Sequence, residues 1–479
     1  MTTSKQIANN VIWRYLDLFS AMLIQLLGTF IMAHFLTPND YGIIAIILVF
    51  TSLADVIINS GFGQALIREK EVTRLDYSTI LYFNIVVSII IYSILFLSSG
   101  LIADFYNIPE LTEISKIGFL ILPLNALSII QINKLQRDIK FKKIFLISFI
   151  SSFTSAIIAI IFAFLYHSVW ALVIQIVVAR FIKCLLLWIT TDFIPVLKFS
   201  VNSLKKYFTF SKHILVSGFI GTLFNEIYSL VIGKVYSATE LGYYSQANKI
   251  NNLASQTTTS VVQSVTYPIL SKIRNNGGDI KDGYKKIIGI TLIIVGFVMA
   301  ILMSCAQDFF EICMGNPVWR VSGTYFLLLG ISGILYPLQA INVNILFVTG
   351  NSKSNLKLEI IRRMLMAVIL LFAANYDITF FVFSLSLYAI IQLFLNLHYC
   401  GKPINYTVKQ QLKDTIPIFT RLTIMIIVAR SVAMLVPQEA IFTRMLLSIL
   451  ICGITGGVIF WKQKDFQTLC ILIKSYIKK

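Results

Sequence analysis

The chain has 479 residues, 57% hydrophobic and only 13% charged, with 40 Lys and Arg against 22 Asp and Glu for a net charge of +18. Soluble domains carry about a quarter charged residues, so a water-soluble enzyme or nucleic-acid-binding domain is excluded. The apolar runs are continuous rather than alternating, which also excludes a membrane β-barrel.

About fourteen apolar spans are predicted, each near the ~20 residues that cross about 30 Å of hydrocarbon. In chain order they are residues 9–34, 41–60, 77–103, 114–132, 144–165, 169–190, 210–234, 248–270, 286–306, 321–348, 358–374, 378–399, 416–436 and 441–461. The first carries Arg14 and Asp17 and no small-residue cleavage site follows it, so it reads as a retained helix. About thirty of the 40 basic residues fall in alternate connections or at the termini, a positive-inside pattern with both ends cytoplasmic. Among them are Arg68, Lys70 and Arg74; Lys134, Arg137, Lys140, Lys142 and Lys143; Lys198, Lys205, Lys206 and Lys212; and a basic tail. The excess charge is read as orientation charge and contact with anionic lipid headgroups, with no nucleic acid partner. The opposite connections are short, with single acids such as Asp104, Asp308, Asp377 and Glu439. None offers the large outward loop that a membrane-embedded glycosyl-transfer enzyme needs, and no G-x-x-x-x-G-K-[ST] string occurs. The chain is therefore not expected to be an enzyme. Cys184, Cys305, Cys313, Cys400, Cys452 and Cys470 form no C-x-x-C pair and read as packing residues, with no metal site expected.

One internal echo organises these spans. HFLTPNDYG (His34 to Gly42) follows the first span and KVYSATELG (Lys234 to Gly242) follows the seventh. Thr37 matches Ser237, Pro38 matches Ala238, Asp40 matches Glu240 and Gly42 matches Gly242. An even number of spans lies between, so the two halves share one orientation, related by an axis along the membrane normal. The alternative is a shared turn at a helix start, with an acid in the first turn and a Gly for close packing. The expected fold is all-α and polytopic, with two pseudo-symmetric six-helix lobes, residues 1–200 and 201–400, and two further helices with a tail in 401–479. A cavity between two such lobes is the usual seat of a transporter's substrate.

Ionisable groups inside spans cost about 2.5–3.5 kcal/mol each on insertion scales, so they mark wet or functional places. The candidates are Arg14, Asp17, Asp55, Arg180, Lys183, Glu226 with its neighbour Asn225, Lys249, Arg421 and Arg430. Arg14 and Asp17 share one helical face, where they either neutralise each other or line a cavity. Arg180, Lys183 and Arg421 have the alternative of snorkelling to the cytoplasmic surface. Span eight is dense in hydroxyl and amide groups, with Ser255, Thr258 and Gln263 among them. That face suits water and sugar hydroxyls, or hydrogen bonding between helices. Lys249 is placed at its outer end.

LTPNDYG, NSGFGQALIREKEV (Asn59 to Val72) and KLQRDIKFKK (Lys134 to Lys143) together resemble the Wzx-type oligosaccharide flippases of the MOP exporter superfamily, a MATE-like fold. The likeness covers nearly the whole chain and is weaker in the second half, where GNSKSNLK (Gly350 to Lys357) lacks the R-D pair. It implies alternating access and a cargo of polyprenyl-pyrophosphate-linked oligosaccharide, moved across the bacterial inner membrane for O-antigen, capsule or exopolysaccharide assembly. It further implies cavity cations that attract the pyrophosphate, with Arg14 the best match by position and Lys249 and Arg180 the next. No cofactor is expected; Asp17, Asp55 and Glu226 are the candidate carboxylates for a coupling Na+ or H+. Polysaccharide polymerase or assembly proteins are the expected protein partners. The alternative within transport is a drug or metabolite exporter of the same superfamily.

Overall fold

The computed structural model describes residues 4–463 and 465–467, and every regular element among them is helical. Cys470 and most of the basic tail lie outside the described residues. In chain order the helices are α1 (Ser4–Ala33), α2 (Pro38–Asn59), α3 (Phe62–Arg68), α4 (Arg74–Leu97), α5 (Ser99–Tyr106), α6 (Leu111–Gly118), α7 (Ile121–Arg137), α8 (Phe141–Tyr166), α9 (Trp170–Thr190) and α10 (Val201–Val231). There follow α11 (Ala238–Asn252), α12 (Thr258–Asn275), α13 (Ile280–Ser304), α14 (Ala306–Met314), α15 (Arg320–Val348), α16 (Ser352–Ala373), α17 (Ile378–Gly401), α18 (Val408–Ala433) and α19 (Ile441–Phe460). Short π-helical stretches, Ile232–Tyr236 and Leu253–Thr257, flank α11.

Twelve of these segments are long and apolar enough to cross a membrane. The other two expected spans fall on the α11–α12 run and on α16, whose polar and charged residues keep them out of that class. Large apolar side chains such as Leu101, Phe164, Leu371 and Val458 are exposed. In water such a surface would aggregate; against acyl chains it costs nothing.

Several helices begin earlier than hydropathy alone suggests, because polar caps set their starts. Thr73 accepts from the Asp76 N–H at 3.2 Å while Asp76 accepts from the Thr73 N–H at 2.9 Å, so α4 starts at Arg74. Thr407 and Gln410 do the same for α18, and Ser200 caps α10. Ser237 accepts the Glu240 N–H at 3.1 Å and so starts α11 ten residues before the expected span. Lys249 consequently sits in the last turn of α11, inside a continuous helical run and not at its outer end.

The chain packs as two compact units, Met1–Gly242 and Tyr243–Lys479. In the first, Phe62, Leu66, Ile80, Leu81 and Ile130 form a buried cluster where α3, α4 and α7 meet. α8 turns a small-residue face, Ser148, Ser151, Ser155, Ala159 and Ala163, inward. Gly28 of α1 is so close to that helix that a Cβ there would lie 3.6 Å from Ala156 Cβ. Close backbone approach of this kind drives association where lipid removes the hydrophobic incentive.

The echoed strings meet within this same unit. Thr37 and Asp40 form a reciprocal cap at the start of α2, as Ser237 caps α11, so both strings are turns that open a helix. Each glycine lies against the other string: a Cβ on Gly42 would fall 1.7 Å from the Ala238 carbonyl oxygen, and one on Gly242 would fall 1.8 Å from that of Pro38. The matched positions 38 and 238, 42 and 242, thus exchange places, as a local two-fold requires.

In the second unit α15 packs among α12, α13, α14 and α17, and α18 pairs with α19. Asp308 and Glu311 of α14 accept from Arg320 Nη1 at 3.3 and 2.5 Å, and Arg444 Nε lies 3.4 Å from Asp308. Arg430 donates to the Met303 carbonyl at 3.3 Å. These contacts tie α14 to the start of α15 and to α19.

Candidate functional site

α1, α8 and α9 of the first unit enclose a cleft of about 550 Å³. Arg14 and Asp17 of α1 line it together with Arg180 and Lys183 of α9. Arg14 Nη1 donates to Asp17 Oδ2 at 2.8 Å across one helical turn, and Asp17 is almost fully buried. Among the described residues neither Arg180 nor Lys183 makes an ion pair, although Arg14 and Asp17 both lie within electrostatic reach of Lys183. Three cations therefore share the cleft with one carboxylate, and at this depth a like-charge cluster favours an anion between its members.

The remaining polar lining is hydroxylic and amidic. Ser148, Ser151, Ser152 and Ser155 of α8 lie along the cleft, joined by Gln25 and Gln175. Ser151 Oγ donates to the Ile147 carbonyl at 2.6 Å and Ser155 Oγ to that of Ser152 at 3.0 Å. With their protons satisfied along the helix, these oxygens keep lone pairs for a hydroxyl-rich guest. Sequence reasoning missed them, although serines at 148, 151, 152 and 155 inside an apolar run have helical one-face spacing, which was the available signal.

The other predicted residues do not line the cleft, although Asp55 lies within electrostatic reach of Arg180. Asp55 of α2 accepts twice from Asn125 Nδ2 of α7, at 3.0 and 2.9 Å, which ties these two helices together. Asn225 is exposed and Glu226 half-buried on α10, away from the cleft lining. Lys249, Ser255, Thr258 and Gln263 belong to the second unit. There the hydroxyl of Ser255 donates to the Asn251 carbonyl at 2.7 Å, and Gln263 Nε2 reaches the Ala340 carbonyl of α15 at 3.0 Å. Arg421 Nη1 donates to Gln463 Oε1 at 2.5 Å.

A family model described as polysaccharide biosynthesis protein matches residues 31–322, more than half of the chain. The chain belongs to that family. It is 26% identical over 354 residues to the teichuronic acid biosynthesis protein TuaB of Bacillus subtilis, covering 73% of this chain and 72% of TuaB. It is 22% identical to the succinoglycan biosynthesis transport protein ExoT of Rhizobium meliloti (70% of this chain, 68% of ExoT). The lipopolysaccharide biosynthesis protein WzxC of Escherichia coli is also 22% identical (64% of this chain, 62% of WzxC). In fold it is similar to the lipid II flippase MurJ in an inward closed conformation, with TM-score 0.70, 16% identity, and 94% of this chain and 99% of that one covered. A point mutant of the Vibrio cholerae MATE transporter VcmN aligns with TM-score 0.54 and 13% identity over 85% of this chain and 98% of its own.

Within this polysaccharide biosynthesis protein the two basic strings have a joint structural role. Arg137 donates to the carbonyls of Glu69 and Lys70 at 3.0 and 2.8 Å, so the turn after α3 is clamped by the end of α7. Lys134 Nζ donates to the Asp192 carbonyl at 3.0 Å beyond α9. Cations at helix C-termini satisfy carbonyls that lack intrahelical partners. α7 itself ends in a Schellman turn: the Lys140 N–H donates to the Leu135 carbonyl at 2.9 Å, and Ile139 is left-handed at φ +56°.

Proposed function

We propose that the protein is a flippase for polyprenyl-pyrophosphate-linked oligosaccharide units, exposing the cleft of α1, α8 and α9 alternately to the two faces of the membrane. The observation that carries the reading is the grouping of Arg14, Arg180 and Lys183 with one carboxylate in a serine-lined cleft between helices apolar enough to cross a membrane. Phosphate and sugar cannot enter hydrocarbon unaided; fixed cations meet the former and hydroxyl oxygens the latter. Naming of the relatives for teichuronic acid, succinoglycan and lipopolysaccharide assembly supports a glycan cargo. Charge asymmetry of the connections supports a bacterial inner membrane setting with both termini cytoplasmic. Under this reading the chain makes and breaks no covalent bond, residues 1–200 and 201–400 act as two lobes, and a polymerase receives the delivered units.

The test is complementation of a deletion strain, with lipid-linked saccharide quantified by mass spectrometry. Arg14→Ala is expected to stop surface polymer and leave undelivered lipid-linked saccharide in the membrane, while Arg14→Lys retains part of the export. Full export by a stably inserted Arg14→Ala protein refutes the assignment. The MATE-like fold gives the drug-exporter reading its observation, and a change in drug tolerance without saccharide accumulation would favour it.

A further inference from the structure

A second basic pocket in the first unit, of about 360 Å³, shares no residue with the cleft. It is lined by Arg68 at the end of α3, by Glu69 and Lys70 just after it, and by Lys206, Tyr207 and Phe210 of α10. Three cations thus accompany one carboxylate, which is paired with one of them: Lys206 Nζ lies 3.0 Å from Glu69 Oε1. The Arg68 guanidinium is carried 4.9 Å above the Phe210 ring, which fixes its plane, and Lys206 Nζ lies 5.3 Å from the Tyr207 ring. The backbone beneath is clamped by Arg137 through the Glu69 and Lys70 carbonyls. Tyr207 is buried, and its hydroxyl has no hydrogen-bond partner among the described residues.

Depth argues for a lipid-borne ligand. The segment Val201–Tyr236 has 36 residues, and at 1.5 Å per residue it rises about 54 Å against about 30 Å of hydrocarbon. Its first turns, with Lys206, therefore stand at headgroup level. Exposed Ile67, Phe208 and Phe210 give the same surface an apolar side that acyl chains can cover. A soluble anion would use the charges and leave that side unexplained.

We propose that this pocket binds the phosphate of an anionic lipid headgroup, with Arg68, Lys70 and Lys206 as its ligands. Bulk phospholipid and the polyprenyl-pyrophosphate carrier offer the same chemistry, and the inference holds for either whether or not the cleft moves oligosaccharide.

The full-length protein in nanodiscs of phosphatidylcholine is titrated with phosphatidylglycerol or with farnesyl pyrophosphate, and retained lipid is counted by native mass spectrometry. Replacing both Arg68→Gln and Lys206→Gln is expected to weaken retention at least fivefold. Removing equal charge elsewhere, by Lys353→Gln with Lys357→Gln, is expected to change it less than twofold. Loss confined to phosphatidylglycerol assigns the site to bilayer lipid, and loss of farnesyl pyrophosphate retention assigns it to the carrier. Equal retention in wild type and the first double variant, or an equal loss in both double variants, overturns the proposal. Should the first double variant fail to purify, Lys70→Glu carries the same expectation and the same refutation.

Discussion

Replacing Gly42 by Ala adds one methyl group where main chain already stands. The new Cβ would lie 1.7 Å from the Ala238 carbonyl oxygen and 2.5 Å from its carbon. Since carbon and carbonyl oxygen meet at about 3.3–3.6 Å, the starts of α2 and α11 must part by about 1.6–1.9 Å. No rotamer can relieve a backbone contact, so the cost belongs at or above the upper end of the usual overpacking range, about 3 kcal/mol. Gly242→Ala meets the Pro38 oxygen at 1.8 Å and should cost the same. Both substitutions open one contact, so the double variant should lose little more than either single one. Gly100, with nothing within 4 Å of its added Cβ, is the control, and Gly100→Ala should be neutral or slightly stabilising. Thermal melting in detergent, followed by fluorescence-detected gel filtration, reads all four proteins. A Gly42→Ala protein that melts within about 1 °C of wild type would refute the claim that these helix starts are in main-chain contact, given a cost of this size.

Other outcomes follow from the same coordinates. A double-mutant cycle on Arg14 and Asp17 should give a coupling of about 1 kcal/mol, discounted for the 40% exposure of the Arg14 side chain; zero coupling in melts would mean the pair does not form. Ile139→Asn should raise stability by about 0.5–1 kcal/mol, since a β-branched residue is strained in the left-handed region and Asn is not; an unchanged or lower melting temperature counts against that strain. Burial pushes the Cys313 thiol up to about 11 and the Cys305 thiol up to about 12. Because only the thiolate reacts, and a raised value keeps both thiols neutral, both should resist iodoacetamide at neutral pH and react only in strong alkali. Rapid alkylation of Cys305 at neutral pH by mass spectrometry would contradict its burial.

Much of the architecture was legible because bilayer physics leaves few options. Runs of about twenty apolar residues must be helices, and their positions on α1, α2, α8 and α9 agree with the structure to within a few residues at most ends. Helix starts were less legible where a cap overrides hydropathy: Ser200, Ser237 and Thr407 begin α10, α11 and α18 well inside what reads as connection. In the candidate site, Arg14, Asp17 and Arg180 stood out because charge is rare within spans, and they line one cleft. Ser148 to Ser155 did not stand out, since a serine in an apolar helix costs little and leaves a weak trace. Asp55 was equally conspicuous as a charge, yet its carboxylate is engaged by Asn125, a partner 70 residues away that no local pattern connects to it.

The mutual contact of Gly42 and Gly242 also bears on how such a chain can diverge. A side chain acquired in either string collides with the main chain of the other, so neither is free to drift alone. Lipid-facing positions elsewhere accept almost any apolar residue and lose their likeness quickly. The likeness between the two strings is then written most durably at the glycines where each presses on the other.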